Sequence, residues 1–149
     1  MLTVRKAIPE DALYIIEFQI KMAWETEKIS LDRDTVTRGV NAVFSDPHKG
    51  EYYVTETDGR IVASLLITFE WSDWRNCNVW WFQSVYVMPE YRRKGIFRKM
   101  YTHIRDKATG LDIAGLRLYV ETANKRAMKT YESLGMSSGH YNFYEWMRK

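Results

Sequence analysis

The sequence predicts a single domain of the α/β (α+β) class over residues 1–149. The chain has 149 residues, 46% of them hydrophobic and 28% charged, which suits one ordinary core and excludes a disordered chain. Strand-like alternation and helix-like apolar spacing follow one another in the order βααβββαβαβ. Asp58-Gly59 joins two strand-like runs and is a strong short-range signal for a β-hairpin.

The first half of the chain predicts a strand, two helices and the hairpin. A proline at a helix start has its φ already set for the helix, and a proline further along stops one. Acidic residues after the first proline favour the same helix start. The predicted elements are a strand over residues 2–7, a helix from Pro9, a helix from about Asp34 to Pro47, and strands over 51–57 and 60–70.

The second half continues the alternation of strands and helices. Pro89 ends a long strand, and Asn124 and Gly135 are residue types that begin and end a helix. The predicted elements are a strand over 79–88, a helix from about Gly95, a strand over 116–121, a helix from Asn124 to Gly135, and an aromatic strand over 140–148.

Composition excludes several classes of protein. No run of about 18 apolar residues is present, so no membrane span is expected. The N-terminus lacks a signal-peptide pattern and Cys77 has no cysteine to pair with, which predicts a cytoplasmic protein. The histidines His48, His103 and His140 lack ligand spacing, so no metal site is predicted. A net charge of +3 is too modest to favour nucleic-acid binding.

The strongest local signal is a strand that runs through RRKGIFRK, residues 92–99, directly into a helix. A helix start directs backbone N–H groups and the positive end of its dipole at one point, and phosphate is the usual occupant. Gly95 allows close approach of the backbone, and Arg92, Arg93, Lys94 and Arg98 add positive charge. By itself, this pattern is equally typical of a solvated basic helix start.

Two segments in order resemble the GNAT N-acetyltransferase superfamily. Residues 85–95, VYVMPEYRRKG, resemble its fourth strand and the start of its [RQ]-x-x-G-x-[GA] loop, and residues 124–136 resemble its N-x-x-A-x-x-x-Y-x-x-x-G-[FM] helix. The resemblance implies a mixed central sheet of six to seven strands with about four helices, and transfer of an acetyl group from acetyl-CoA directly to an amine in a ternary complex. Phe97 departs from the loop pattern, and we expect its ring to pack between helix and sheet.

The resemblance also assigns roles to residues. Val85 and Val87 would pair with the pantetheine arm, the Val85 N–H would polarise the thioester carbonyl, and Tyr131 would protonate the departing thiolate. Spacing alone favours a core aromatic at Tyr131, and only the surrounding motif favours a functional role. Asn124 is also typical of a helix cap, a role compatible with cofactor binding. The predicted cofactor-binding residues are Val85, Tyr86, Val87, Arg92, Arg93, Lys94, Gly95, Ile96, Phe97, Arg98, Asn124 and Tyr131.

The general base and the acceptor site are less well defined. Gln83 and Ser84 stand where many relatives have a carboxylate, so Glu121, with Glu25 second, is the candidate base. The predicted acceptor-binding residues are Trp24, Glu25, Trp71 and Trp74. Indole faces beside carboxylates suit an ammonium group, although the same tryptophans equally suit hairpin packing or a homodimer face.

Three hypotheses follow. The first is an N-acetyltransferase acting on a small-molecule or peptide amine. The second is a non-catalytic acyl-CoA-binding module, suggested by Phe97 and by the missing strand carboxylate. The third is nucleic-acid binding through residues 92–99, which ranks last.

Overall fold

The computed structural model describes residues 1–149 as two units, residues 1–119 and 120–149. The first unit holds a five-stranded sheet and three helices; the second holds one helix. Short 3-10 turns at Pro9–Asp11 and Pro89–Tyr91 follow β1 and β4. The elements are β1 Leu2–Lys6, α1 Ala12–Glu27, α2 Arg33–Ser45, β2 Glu51–Thr57, β3 Arg60–Ser72, β4 Cys77–Val87, α3 Ile96–Gly110, β5 Gly115–Leu118 and α4 Lys125–Ser133. None of these helices has the length and apolar character needed to cross a lipid bilayer.

The sheet is mixed, as predicted. Its strands lie in the order β1-β2-β3-β4-β5, with antiparallel pairing throughout except between β4 and β5, which are parallel. Asp58 and Gly59 form the turn between β2 and β3, with φ of 50° and 74°. Positive φ at both central residues is the geometry that twists two strands together, so the hairpin prediction is confirmed.

The prediction of six to seven strands is wrong, because the sheet has five. Residues 140–148 form no strand, and Tyr144 and Trp146 are 88% and 85% exposed. Alternating aromatic residues favour a strand only where a neighbouring strand supplies hydrogen-bond partners, and pairing was not predictable from the pattern. The predicted strand over 116–121 is also shorter, ending at Leu118.

Alternation along the strands gives the sheet two buried faces. Tyr52 and Val54 of β2 belong to a core cluster with Ile15 and Ile16 of α1, against which side chains of α2 pack. Tyr53, between them in the strand, meets His103 of α3 on the opposite face, with ring centroids 5.9 Å apart. The α1/α2 face and the α3 face are therefore distinct, and each strand side chain belongs to one of them.

Candidate functional site

β4 extends beyond its parallel partner. Pairing with β5 runs from Val79 to Phe82, so the last five residues of β4 have no neighbour on that side within the sheet. Against β3, the register shifts between Gln83 and Tyr86, and Ser84 has a φ of 52°. A β-bulge of this kind bends a strand and re-aims its groups. The end of β4 thus leaves an open strand edge.

The hydrogen bonds to β3 fix which backbone groups lie on this open edge. The Met88 N–H donates to the Val62 carbonyl at 2.9 Å, and Tyr86 is registered opposite Ser64. Residues that bond one neighbour alternate along an antiparallel strand. Val87 therefore directs its N–H and C=O groups away from β3, toward the edge of β4 that has no strand partner. Val85 lies within the bulge, next to the same edge.

The chain passes from this edge into the basic loop and the start of α3. Gly95 is the N-cap of that 15-residue helix, with a φ of 75° and no side-chain cap. Arg93 also has a positive φ, 64°, and the loop residues Arg92 to Gly95 are exposed. Because the first-turn N–H groups of a helix lack partners within it, and because the dipole adds positive charge there, this loop suits phosphate.

Phe97 packs as expected. Its ring lies 6.1 Å from that of Phe82 on β4 and 6.4 Å from that of Tyr101 on α3, between the helix and the sheet. The aromatic side chain, which stands where the [RQ]-x-x-G-x-[GA] pattern has a small residue, therefore packs in the interface between α3 and β4.

Glu25, at the C-terminal end of α1, bonds to two residues of the predicted cofactor site. The Tyr86 hydroxyl donates to Glu25 Oε1 at 2.9 Å, and Arg92 Nη2 donates to Oε2 at 2.8 Å. Arg92 Nε also donates to the Val87 carbonyl at 2.8 Å, and its guanidinium lies 5.3 Å from the Tyr86 ring. Glu25 thus ties α1 to the end of β4 and to the first residue of the basic loop.

These contacts change the acid–base properties of both partners. The Arg92 guanidinium and the Tyr86 hydroxyl hold the pKa of Glu25 below its usual range. Burial and the Glu25 carboxylate raise the pKa of Tyr86 to about 12. Since a lower pKa makes a carboxylate a weaker proton acceptor, Glu25 is poorly suited to act as a general base.

The predicted acceptor tryptophans do not gather at one place. Trp24 is 55% exposed on α1, where the Lys28 ammonium lies 5.6 Å from its ring. Trp74 is 90% exposed in the turn between β3 and β4. Side chains alternate between the two faces along β3, and Leu66 lies on the α1/α2 face. Trp71, an odd number of residues further along the strand and opposite Asn78, therefore lies on the α3 face.

Sequence reasoning missed four side chains on the α1/α2 side, which we name the Glu70 cluster: Glu70, Trp81, Arg117 and Tyr119. Glu70 Oε1 accepts from Trp81 Nε1 at 2.9 Å and from Arg117 Nη1 at 2.7 Å. Tyr119 packs against Trp81, with ring centroids 4.5 Å apart and ring planes inclined by 33°. Trp81 was visible as one of four clustered tryptophans, but its partners depend on strand register, for which the sequence carries no local signal.

The second unit holds the remaining predicted residues. Asn124 caps α4, its side chain accepting from the Ala127 N–H at 3.1 Å, and the Asn124 N–H donates to the Glu121 carbonyl at 2.9 Å. The prediction of a helix beginning at Asn124 is therefore confirmed. Tyr131 lies on that helix, and burial raises the pKa of its hydroxyl.

Comparison with known proteins agrees with this geometry. A family model described as the acetyltransferase (GNAT) family matches residues 11–136. A crystal structure of a possible acetyltransferase from Clostridium difficile 630 is 44% identical, covers 100% of this chain and 99% of that one, and superposes with a TM-score of 0.92. The chain belongs to the GNAT acetyltransferase family, as its motifs indicated.

Two curated relatives carry named activities. Thialysine N-epsilon-acetyltransferase of Bos taurus is 37% identical over 75 residues, which are 50% of this chain and 44% of the relative. S-alkylcysteine N-acetyltransferase of Bacillus subtilis (strain 168) is 23% identical over 107 residues, 69% of this chain and 58% of the relative. This chain thus spans about half the length of these relatives.

Proposed function

We propose that the protein transfers an acetyl group from acetyl-CoA directly to the amine of a small acceptor, within a ternary complex. The observation that carries this proposal is the open edge of β4 at Val85 and Val87, followed by the Gly95-capped helix start. An extended arm with amide groups suits the strand edge, and a pyrophosphate suits the loop. Acetyl-CoA has both parts and supplies the acetyl thioester.

The roles proposed for individual residues are those that the family resemblance implies. The N–H and C=O groups of Val85 and Val87 bind the pantetheine arm, and the Val85 N–H stabilises negative charge that develops on the thioester oxygen. Tyr131 donates a proton to the departing thiolate. The raised pKa of the Tyr131 hydroxyl supports this role, because the group is protonated, and so able to donate, when the thiolate forms.

For proton removal from the acceptor amine, we propose Glu121 or a water molecule held by Gln83. Glu25 is assigned a different task, because its carboxylate is already occupied by Arg92 and Tyr86. We propose that it positions the basic loop. The protein is further proposed to be cytoplasmic and to form a homodimer through its exposed aromatic residues.

A non-catalytic acyl-CoA-binding module is the second candidate. It is favoured by Gln83 and Ser84, which place no carboxylate on β4 beside the proposed thioester position. Both candidates require acetyl-CoA binding, and turnover separates them.

The test begins with the wild-type protein. Calorimetric titration should show acetyl-CoA binding, and release of the CoA thiol should appear when small amines, above all amino acids, are added. Mass spectrometry of the products should show one acetyl group on nitrogen. Binding without acetylation of any amine in a broad panel would favour the binding module, and absence of binding would contradict both candidates.

Glu25→Gln should raise the KM for acetyl-CoA about tenfold, with kcat within about twofold of wild type, because the amide holds the Arg92 guanidinium without its charge-assisted bond. Steady-state kinetics at saturating acceptor will measure this. Glu17→Gln is the matched control. Glu17 also lies on α1 and pairs with Arg33 of α2, so its replacement should change neither constant. A fall in kcat with an unchanged KM would instead identify Glu25 as a base.

A further inference from the structure

The Glu70 cluster is a polar and aromatic patch on three neighbouring strands. Glu70 lies on β3, Trp81 on β4 and Arg117 on β5, and Arg117 is registered opposite Trp81. The side chains of Glu70 and Arg117 are 45% and 33% exposed, so both reach solvent. Trp81 and Tyr119 form a continuous aromatic surface beside them. The patch therefore offers charged groups and an apolar wall to a molecule in solution.

Glu70 engages only part of the Arg117 guanidinium. Trp81 Nε1 and Arg117 Nη1 both donate to one oxygen of Glu70, Oε1. The Trp81 hydrogen bond, followed by the Arg117 bond, holds the pKa of Glu70 below its usual range. The Arg117 side chain is one-third exposed, and its other N–H donors would attract a carboxylate and repel an ammonium group.

Arg117 has the chemistry to bind such a carboxylate. A guanidinium carries five N–H donors in a planar fork that fits a carboxylate with two parallel hydrogen bonds. The bond to Glu70 fixes the guanidinium at one of its nitrogens, Nη1, and so orients the group. A fixed orientation lowers the entropy that binding would otherwise cost.

The patch lies on the same side of the sheet as the proposed reaction site. Leu66, registered opposite Gln83, packs on the α1/α2 core, and Thr68, two residues further along β3, is opposite Trp81. Trp81 precedes Val85 by four residues, or roughly 13 Å along the strand. The bond to Glu70 holds the Arg117 guanidinium toward β3 and away from Val85, so the acceptor must carry its reacting amine several bonds away from its carboxylate to span that distance.

We propose that Arg117, oriented by Glu70, binds the carboxylate of an amino-acid acceptor, and that the Trp81–Tyr119 pair packs against the acceptor's apolar part. This inference rests on the proposed function and names its substrate class. It agrees with the named activities of the two curated relatives, which concern a thialysine and an S-alkylcysteine. It also replaces an ammonium pocket built from Trp24, Trp71 and Trp74 with a carboxylate site.

The test compares two amines that differ only in the carboxylate, lysine and 1,5-diaminopentane, both of which carry an amine at the far end of an apolar chain. Wild type should acetylate the amino acid with a kcat/KM at least about tenfold higher. Arg117→Gln should lower kcat/KM for the amino acid by about 10- to 100-fold, and should change that for the decarboxylated amine by less than about twofold. The kcat/KM of Arg117→Lys for the amino acid should lie between the values of wild type and Arg117→Gln. Lysine keeps the positive charge but lacks the planar set of donors.

Controls separate this inference from folding and from the proposed function. Arg33→Gln, at another arginine–glutamate pair, should leave both substrates unaffected, and the KM for acetyl-CoA should not change in Arg117→Gln. Equal rates of wild type with the two amines, or equal losses in Arg117→Gln, would overturn the inference while acetylation itself stands. If wild type acetylates neither amine, calorimetric titration of lysine still decides the inference: binding that Arg117→Gln abolishes supports the carboxylate site, and no binding overturns it. The broad amine panel tests the proposed function separately.

Discussion

Gly95→Glu is expected to reduce acetyl-CoA affinity at least about 100-fold, below what calorimetry detects. The new carboxylate would stand at the N-cap of α3, where the proposed pyrophosphate site depends on helix N–H groups and on positive charge. Repulsion between the new carboxylate and the phosphates is the expected cause of the loss. Isothermal titration with acetyl-CoA will measure the change.

Two variants isolate the cause of this effect. Gly59→Glu places the same side chain at nearly the same φ, 74° against 75°, in the β2–β3 turn, and should leave binding intact. Gly95→Ala adds only a Cβ, which meets nothing within 4 Å, so it should cost about 1 kcal/mol of stability through its positive φ and retain binding. Unchanged acetyl-CoA affinity in Gly95→Glu would show that the cofactor does not bind at this loop.

Tyr131→Phe is expected to lower kcat by about 10²- to 10⁴-fold, with little change in the KM for acetyl-CoA. The hydroxyl is the proposed proton donor to the thiolate, and phenylalanine keeps the aromatic ring. Stopped assays of CoA release with the preferred amine will measure kcat, and thermal unfolding will report stability.

The pH profile adds a second readout for Tyr131. Burial raises the pKa of the hydroxyl, so the protonated, active form persists to a higher pH than for an ordinary tyrosine. The wild-type kcat should therefore fall only above the usual tyrosine range, and Tyr131→Phe should lack this decline. Tyr14→Phe, at an exposed tyrosine of α1, is the control. An unchanged kcat in Tyr131→Phe would favour the binding module.

Local chemistry made part of the fold and site predictable. The hairpin at Asp58-Gly59 follows from two residues that accept a positive φ, and the start of α4 follows from the Asn124 side chain reaching the Ala127 N–H. Phe97 could be assigned to the interface of α3 and β4 because a ring in the loop had no other apolar place to go. Each of these conclusions depends on residues close in sequence.

Contacts between distant segments were not predictable in this way. Glu25 lies 61 residues from Tyr86 and 67 from Arg92, and no local pattern announces that their side chains meet. The Glu70 cluster depends on the parallel register of β4 and β5, which a single sequence does not specify. The extra strand predicted over residues 140–148 failed for the same reason, since alternation describes a side-chain pattern and not a hydrogen-bonding partner.

The contact between Glu25 and Arg92 couples the position of the end of α1 to the position of the basic loop. A ligand that holds the loop in its tethered position also stabilises the matching position of α1. By the same linkage, a ligand that fixes α1 stabilises the tethered loop by an equal free energy. In a protein with two substrates, this contact would make each substrate raise the affinity for the other by the same factor. Nothing beyond one carboxylate, shared between a phenol and a guanidinium, is needed for that coupling.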